Sequence, residues 1–320
     1  MLSYLHLIES HIKKQKFGSQ PKSLYEPIRY IMSLGGKRLR PTLTLLAYSL
    51  YKDDVDKIVS YAAAVEAFHN FTLMHDDIMD KAPLRRGKPT VHEKWNTSTA
   101  ILSGDVMLVK VYDQFLPLEG ETLKETLRVF NQCAAEVCEG QQWDMEFETK
   151  SKVSETQYIE MIRLKTAVLL GFSLEFGALL ANAPAQDRKS LRDFGVNIGI
   201  AFQLKDDLLD VYADKKKFGK QVGGDILSNK KTFLLLKAIE KARGKEKAEL
   251  IKWLAAKKFD KRKKIKAITA IYDSIGIQAI TENKIEEYFQ KGFSSLEQLS
   301  VKEKAESLIS FAKNLAGRQR

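Results

Sequence analysis

Apolar residues return every three or four positions along nearly the whole chain, the spacing that places them on one stripe of a helix. These stripes predict helices over residues 2–14, 24–34, 41–51, 57–80, 99–116 and 121–148. They resume over 154–180, 185–212, 231–240, 246–256, 261–275, 277–290 and 301–315. The two-residue alternation of a half-buried strand is nearly absent. All seven prolines lie at or before position 184, so the last 136 residues can sustain unbroken helices. No segment repeats with a period of about 20 to 50 residues, which argues against a solenoid. The pattern predicts an all-α protein.

Polar residues break the stripes in two ways. Three connections are rich in both glycine and cations: LGGKRLRP at 34–41, APLRRGKPTVH at 82–92 and DKKKFGKQVGGDILSNKKT at 214–232. Two other breaks are acidic. HDDIMD at 75–80 closes the apolar run AAAVEAFHNFTLM, and KDDLLD at 205–210 closes GVNIGIAFQL. A helix that buries its surroundings has no evident use for so many carboxylates at its end.

Composition narrows the setting. A chain of 320 residues, 44% hydrophobic and without an obvious linker, reads as a single domain over 1–320 with a substantial core. The net charge of +11 suits an anionic partner without choosing among nucleic acid, membrane surface and phosphorylated small molecules. The densest basic run, KKFDKRKKIK at 257–266, reads as a solvated loop and helix start. Cys133 and Cys138 are five apart on one helix and are not expected to bridge. Few thiols and no leader pattern predict a cytoplasmic protein. The longest apolar stretch, AVLLGFSLEFGALLA, is interrupted by Glu175 and too short to span a bilayer, so no integral membrane segment is expected.

Asp76 and Asp80 are i and i+4 on a helix and share a face, as do Asp206 and Asp210. Carboxylates so placed repel unless a cation lies between them. Mg²⁺ takes one or two protein carboxylates, keeps several waters and completes its octahedron with phosphate oxygens. The Cys and His clusters of structural zinc and the alternating ligands of a calcium loop are missing. The nearby cations then read as phosphate ligands. In GGKRLRP, paired glycines free the backbone, Lys37, Arg38 and Arg40 bring charge, and Pro41 suits the first turn of a helix whose N-terminus itself favours anions. Arg85 and Arg86 follow the first cluster directly; arginine matches phosphate bidentately, whereas Lys165, Lys220 and Lys230 act as point charges.

Together these segments resemble the trans-type isoprenyl diphosphate synthases, or polyprenyl synthetases. GGKRLRP, DDIMD with RRG, GQQWDM, LKT, GIAFQLKDDLLD, and GKQVGGDI with NKKT follow in that order over residues 35–232. The resemblance implies a single large bundle of antiparallel helices around a central cavity, assembled as a homodimer. It implies Mg²⁺-dependent head-to-tail condensation of isopentenyl diphosphate with an allylic diphosphate. Asp76, Asp80 and Asp206 would hold about three Mg²⁺ ions against the allylic diphosphate, with Asp210 assisting through water. Arg85, Lys165, Lys220 and Lys230 would grip that diphosphate, and Lys37, Arg40, His69 and Arg86 the isopentenyl one. Thr166, Gln203 and the Lys165 carbonyl would turn oxygen dipoles toward the allyl cation left when pyrophosphate departs. The departing pyrophosphate would take the final proton, so no side-chain base is expected.

Product length should follow from the wall below the first cluster. Phe71 lies five residues before Asp76, about 7.5 Å down a helix, with Phe68 nearly a turn deeper. Thr72 stands where animal-type farnesyl synthases carry a second aromatic residue, and DDIMD lacks the insertion typical of bacterial ones. A single aromatic floor resembles geranylgeranyl synthases, predicting a twenty-carbon product, with fifteen carbons or a longer chain as alternatives. A class I terpene cyclase would carry a different second metal motif, and a regulatory subunit decayed aspartates. A nucleic-acid binder would leave the paired aspartates unexplained and raise their electrostatic cost.

Overall fold

The computed structural model describes residues 2–213 and 223–317, so Lys220 lies outside the described residues. Helices and one two-residue hairpin make up its regular structure. The described chain divides into two compact units, and the divisions at Cys133/Ala134, Gly171/Phe172 and Arg192/Asp193 fall inside helices.

The first unit comprises Met1–Cys133, Phe172–Arg192 and Leu299–Ser307. It holds α1 (Leu2–Lys14), α2 (Lys22–Ser33), α3 (Leu39–Ser49), α4 (Val59–Met79), α5 (Val91–Lys94) and α6 (Thr97–Phe115). α4 packs on α1, α3 and α6, its Ala62, Ala63, Ala64 and Ala67 wholly buried, so neighbouring helices come close on several sides at once. Asn96 caps α6, its side-chain oxygen accepting from the Thr99 N–H at 2.8 Å. Phe68, Phe115, Phe130, Phe172 and Phe176 pack, mostly edge to face, into one aromatic core with centroids 5.0–5.7 Å apart. Between α4 and α5, β1 (Leu84–Arg85) and β2 (Lys88–Pro89) pair antiparallel. Their turn places Arg86 and Gly87 at φ 53° and 73°, the positive pair that a two-residue hairpin demands.

The second unit comprises Ala134–Gly171, Asp193–Gln298 and Leu308–Arg320. It holds the later part of α7 (Gly120–Thr149), α8 (Glu155–Ile162), the start of α9 (Val168–Leu180), most of α10 (Ala185–Tyr212) and α11 (Gly224–Ser228). α12 (Phe233–Lys241), α13 (Gly244–Ala255), α14 (Lys261–Ser274) and α15 (Ile277–Leu296) follow, and most of α16 (Glu306–Ala316) belongs here too. Ser154 and Gln157 close a reciprocal capping box at the start of α8.

Most expected helices stand within two or three residues of their sequence limits. The continuous helix expected over 154–180 instead carries a π turn at Arg163–Ala167. Neighbouring backbone presses on that turn: a Cβ at Gly140 would sit 2.2 Å from the Lys165 nitrogen, and one at Gly199 would sit 2.6 Å from the Ala167 Cα. A single widened turn leaves the apolar stripe nearly intact, so periodicity cannot reveal it. α15 runs on to Leu296, and α16 starts at Glu306 after a 3₁₀ turn at Lys302–Lys304. α11, five residues long within the expected 214–232 connection, is too short to show a period. Cys133 is buried, Cys138 exposed, and neither is bridged.

Candidate active site

In the first unit the acidic cluster ends α4, with Asp80 at its C-cap. Asp76 is half-buried, Asp77 buried and Asp80 exposed. Arg85, carried back by the hairpin, meets Asp77 bidentately: its Nε lies 2.8 Å from each carboxylate oxygen and its Nη2 2.6 Å from Oδ1. The same Nη2 reaches Asp76 at 3.6 Å. Burial works against the Arg85 charge, but Asp77, Asp76 and Asp80 outweigh it and hold its pKa above the ordinary value. Burial raises Asp77 more than Arg85 lowers it, although the bidentate geometry is that of an ion pair.

The expected isopentenyl diphosphate residues of this unit converge around the GGKRLRP loop. Arg86 donates to the Gly35 carbonyl, and Gly36 holds φ 139°, a conformation that favours glycine, where a Cβ would stand 2.9 Å from the Arg86 guanidinium carbon. Arg40 Nη1 donates to His69 Nε2 at 3.1 Å. Burial, then Arg40, Arg86, Arg85 and Arg38, hold His69 well below its ordinary value, so it is a neutral acceptor beside a cation. Burial lowers Arg40 to about 10, and its Nε is buried without a hydrogen-bond partner. A concentration of positive charge with an unsatisfied donor is an anion site by composition. Lys37 is exposed on the same loop. Arg38 is not part of this array: it turns inward, 2.7 Å from both Glu9 and Glu66 and 2.8 Å from the Met32 carbonyl.

Along α4, Phe71 lies between His75 and Phe68, at centroid distances of 4.9 and 5.7 Å, and Phe68 continues into the aromatic core. Thr72 returns its hydroxyl to the His69 carbonyl at 2.8 Å. His75 donates from Nε2 to the Ile101 carbonyl of α6 at 3.1 Å.

The second unit gathers Lys165, Thr166, Gln203 and Lys230 around one cavity, together with Asp144, Tyr158 and Asp207. The π turn presents Lys165 and Thr166, and α10 presents Gln203 and Asp207. Lys165 Nζ lies 2.6 Å from Asp144. Burial pushes the Asp144 carboxyl up, but Lys165 and Lys230 outweigh it and leave it below its ordinary value. Thr166 donates to Gln203 Oε1 at 3.3 Å, Gln203 Nε2 donates to Asp207 Oδ1 at 3.1 Å, and Tyr158 donates to Asp207 Oδ2. Burial first, then the charge of Asp225, raises Asp207 to about 7, against the pull of Lys230. Asp206 is half-buried beside it. Asp210 Oδ2 accepts the Asp225 N–H at 3.0 Å at the start of α11.

Among the described residues no three His, Cys, Asp or Glu side chains form a closed metal cage. Carboxylates in pairs, all oxygen donors, fit a hard cation that completes its shell with water and phosphate. Four residues that the sequence left without a role matter here: Asp77, Asp144, Tyr158 and Asp207. Asp144 and Asp207 lie within GQQWDM and KDDLLD, and Asp77 within DDIMD, so those motifs were the available signal. Nothing in the local sequence marks Tyr158.

Comparison with known proteins identifies the family. The model of the polyprenyl synthetase family matches residues 21–272. A short chain isoprenyl diphosphate synthase of Methanocaldococcus jannaschii is 40% identical over 79% of this chain and 77% of its own. A geranylgeranyl diphosphate synthase of Sulfolobus acidocaldarius is 38% identical over 91% and 88%. A geranylgeranyl pyrophosphate synthetase from Pyrococcus horikoshii superposes with a TM-score of 0.91 at 34% identity, covering 99% of this chain and 96% of that one. The fold is that of an all-α isoprenyl synthase, and the chain belongs to the polyprenyl synthetase family of prenyltransferases.

Proposed function

We propose that this chain condenses isopentenyl diphosphate head to tail with an allylic diphosphate, giving an all-trans short-chain product, geranylgeranyl diphosphate. The observation that carries this reading is the cavity of the second unit, where Lys165 and Lys230 stand beside the acceptor oxygens of Thr166 and Gln203. Cations suit a departing diphosphate, and oxygen dipoles suit the allyl cation it leaves behind. The family names of the relatives support the same reaction class.

In this reading the residues 1–320 act as one synthase domain, a homodimer working in the cytoplasm. Exposed Ile101, Leu102 and Val109 along α6 supply an apolar strip suited to a partner copy. No described helix is long and apolar enough to cross a membrane. Asp76, Asp80 and Asp206 hold about three Mg²⁺ ions, with Asp210 assisting, and the metals supply electrostatic relief of the charge growing on pyrophosphate. Arg85, Lys165 and Lys230, with Lys220, bind the allylic diphosphate. Lys37, Arg40 and Arg86 bind isopentenyl diphosphate, and neutral His69 orients Arg40. Phe71 floors the product pocket, backed by Phe68, with small Thr72 leaving the neighbouring position open.

A longer product competes with this one, since a geranylfarnesyl diphosphate synthase of Natronomonas pharaonis is also 38% identical over 72% of this chain, and a fifteen-carbon product is the other alternative. The test is incubation of purified protein with labelled isopentenyl diphosphate, Mg²⁺ and each allylic primer, followed by chromatography of the product. A twenty-carbon product is expected. Absence of condensation with every primer sinks the reading, and a fifteen- or twenty-five-carbon product corrects its chain length.

A further inference from the structure

Asp207 is the member of KDDLLD that metal binding leaves without a task. Its side chain is buried, at 5% exposure, and each of its oxygens already accepts a hydrogen bond, Oδ2 from Tyr158 and Oδ1 from Gln203 at 3.1 Å. Tyr158 is itself buried, at 2% exposure, so its hydroxyl is anchored by packing on α8.

A primary amide can turn either its oxygen or its NH₂ toward a neighbour, and the two ends are nearly identical in size. What decides the matter for Gln203 is the partner it faces. With Oδ2 taken by the Tyr158 hydroxyl, Oδ1 of Asp207 accepts from the Gln203 nitrogen, so the amide oxygen turns the other way, to Thr166, which donates to it at 3.3 Å. The hydroxyl hydrogen of Thr166 is thereby spent on Gln203. What Thr166 and Gln203 then offer the cavity is oxygen lone pairs, with Lys165 and Lys230 also lining it.

We infer that Asp207 and Tyr158 are positioning residues: acting through Gln203, they lock its amide so that the cavity beside Thr166 presents an oxygen to a developing carbocation instead of an N–H. The identity of that cation rests on the prenyl-transfer reading above; the amide lock does not. An inverted amide would set a positive dipole end against the cation and oppose ionisation, while leaving Lys165 and Lys230 to bind diphosphate as before.

Asp207→Asn tests the lock because it replaces one acceptor by a donor of the same shape. With Tyr158 still donating to the remaining oxygen, the new NH₂ faces Gln203 and forces its amide over. Two ligands read the result by calorimetry in the presence of Mg²⁺: an allylic diphosphate analogue carrying an ammonium nitrogen where the cation develops, and its uncharged carbon isostere. Wild-type protein should bind the ammonium analogue more tightly. In Asp207→Asn that preference should fall by about tenfold while affinity for the uncharged isostere stays unchanged, and kcat should drop about 10- to 100-fold with little change in either KM.

The double variant Gln203→Glu with Asp207→Asn exchanges acid and amide and keeps the pair's net charge. It should restore the preference, because the carboxylate moved to position 203 accepts from the amide moved to position 207 through one oxygen and offers the other to the cavity. Tyr158→Phe loosens the carboxylate without removing it and should lower the preference by a smaller factor; it carries the test if Asp207→Asn does not fold. A preference unchanged in Asp207→Asn, or in Tyr158→Phe where only that variant folds, overturns the inference. So does equal weakening of both ligands, which is what a merely structural role predicts. Wild-type protein that binds neither diphosphate would instead remove the prenyl-transfer reading.

Discussion

Asp77 and Asp207 occupy the same place in the two DDxxD clusters, and both are buried, at 2% and 5% exposure. Their partners differ in kind. Asp77 is held by a guanidinium, Arg85, in a bidentate pair, with Arg86, Arg40 and Arg38 close enough to depress His69 together. Asp207 is held by two neutral donors, a phenol and an amide. The first environment is rich in cations and suits phosphate. The second, beside Thr166 and Gln203, offers oxygen to its cavity, with Lys165 and Lys230 supplying the charge there. A guanidinium in place of Tyr158 would neutralise Asp207 equally well, but it would bring positive charge to a wall that otherwise offers oxygen. One short motif thus serves two electrostatic ends, and the residue gripping its second carboxylate decides which.

The comparison breaks first at the metals. Asp76→Ala and Asp206→Ala should each lower kcat by about a thousandfold or more while the far-ultraviolet circular dichroism stays helical. Chelation of divalent ions should do the same reversibly, and full activity in either variant would separate that cluster from the reaction. Stability should divide the two second aspartates next. Asp77→Ala deprives a half-buried guanidinium of its bidentate partner and should cost about 3 kcal/mol. Asp207→Ala leaves two neutral donors unsatisfied and should cost about 1–3 kcal/mol. Denaturant melts that reverse this order would show that Arg85 contributes less than its geometry implies.

Smaller effects sharpen the picture. Phe71→Ala should lengthen the product by one or more isoprene units, read by reversed-phase chromatography; an unchanged distribution would move the floor elsewhere. The crowded arginines of the first unit should leave a pH signature. His69 stays neutral in the fold, whereas the unfolded chain takes up its proton below the ordinary value of 6.5. Its contribution is therefore complete above that pH and declines as the pH falls below it, by about 1.4 kcal/mol per unit at most. His69→Gln should flatten that acid limb in melts taken from pH 8 to 5.

Much of this was legible along the chain. The limits of α1 and α10 follow from periodicity to the residue, and those of α7 to within one, because long amphipathic helices repeat their pattern many times. Asp76, Asp80 and Asp206 stand out because carboxylates at a four-residue spacing on an otherwise apolar element need a reason. Arg38 did not separate itself from Arg40: the two lie in one basic loop, and only the fold turns Arg38 onto Glu9 and Glu66 while leaving Arg40 on His69. The π turn under Lys165 and Thr166 left no mark on the stripe either.

What the sequence alone determined is where helices run and which residue types the chemistry requires, since both depend on spacing within a few turns. What tertiary structure decided is which charges face each other: Tyr158 reaches Asp207 across 49 positions and Lys165 reaches Asp144 across 21. Those pairings depend on how helices distant in sequence pack, and hydrogen bonds act over about 3 Å, a range that no local pattern can encode.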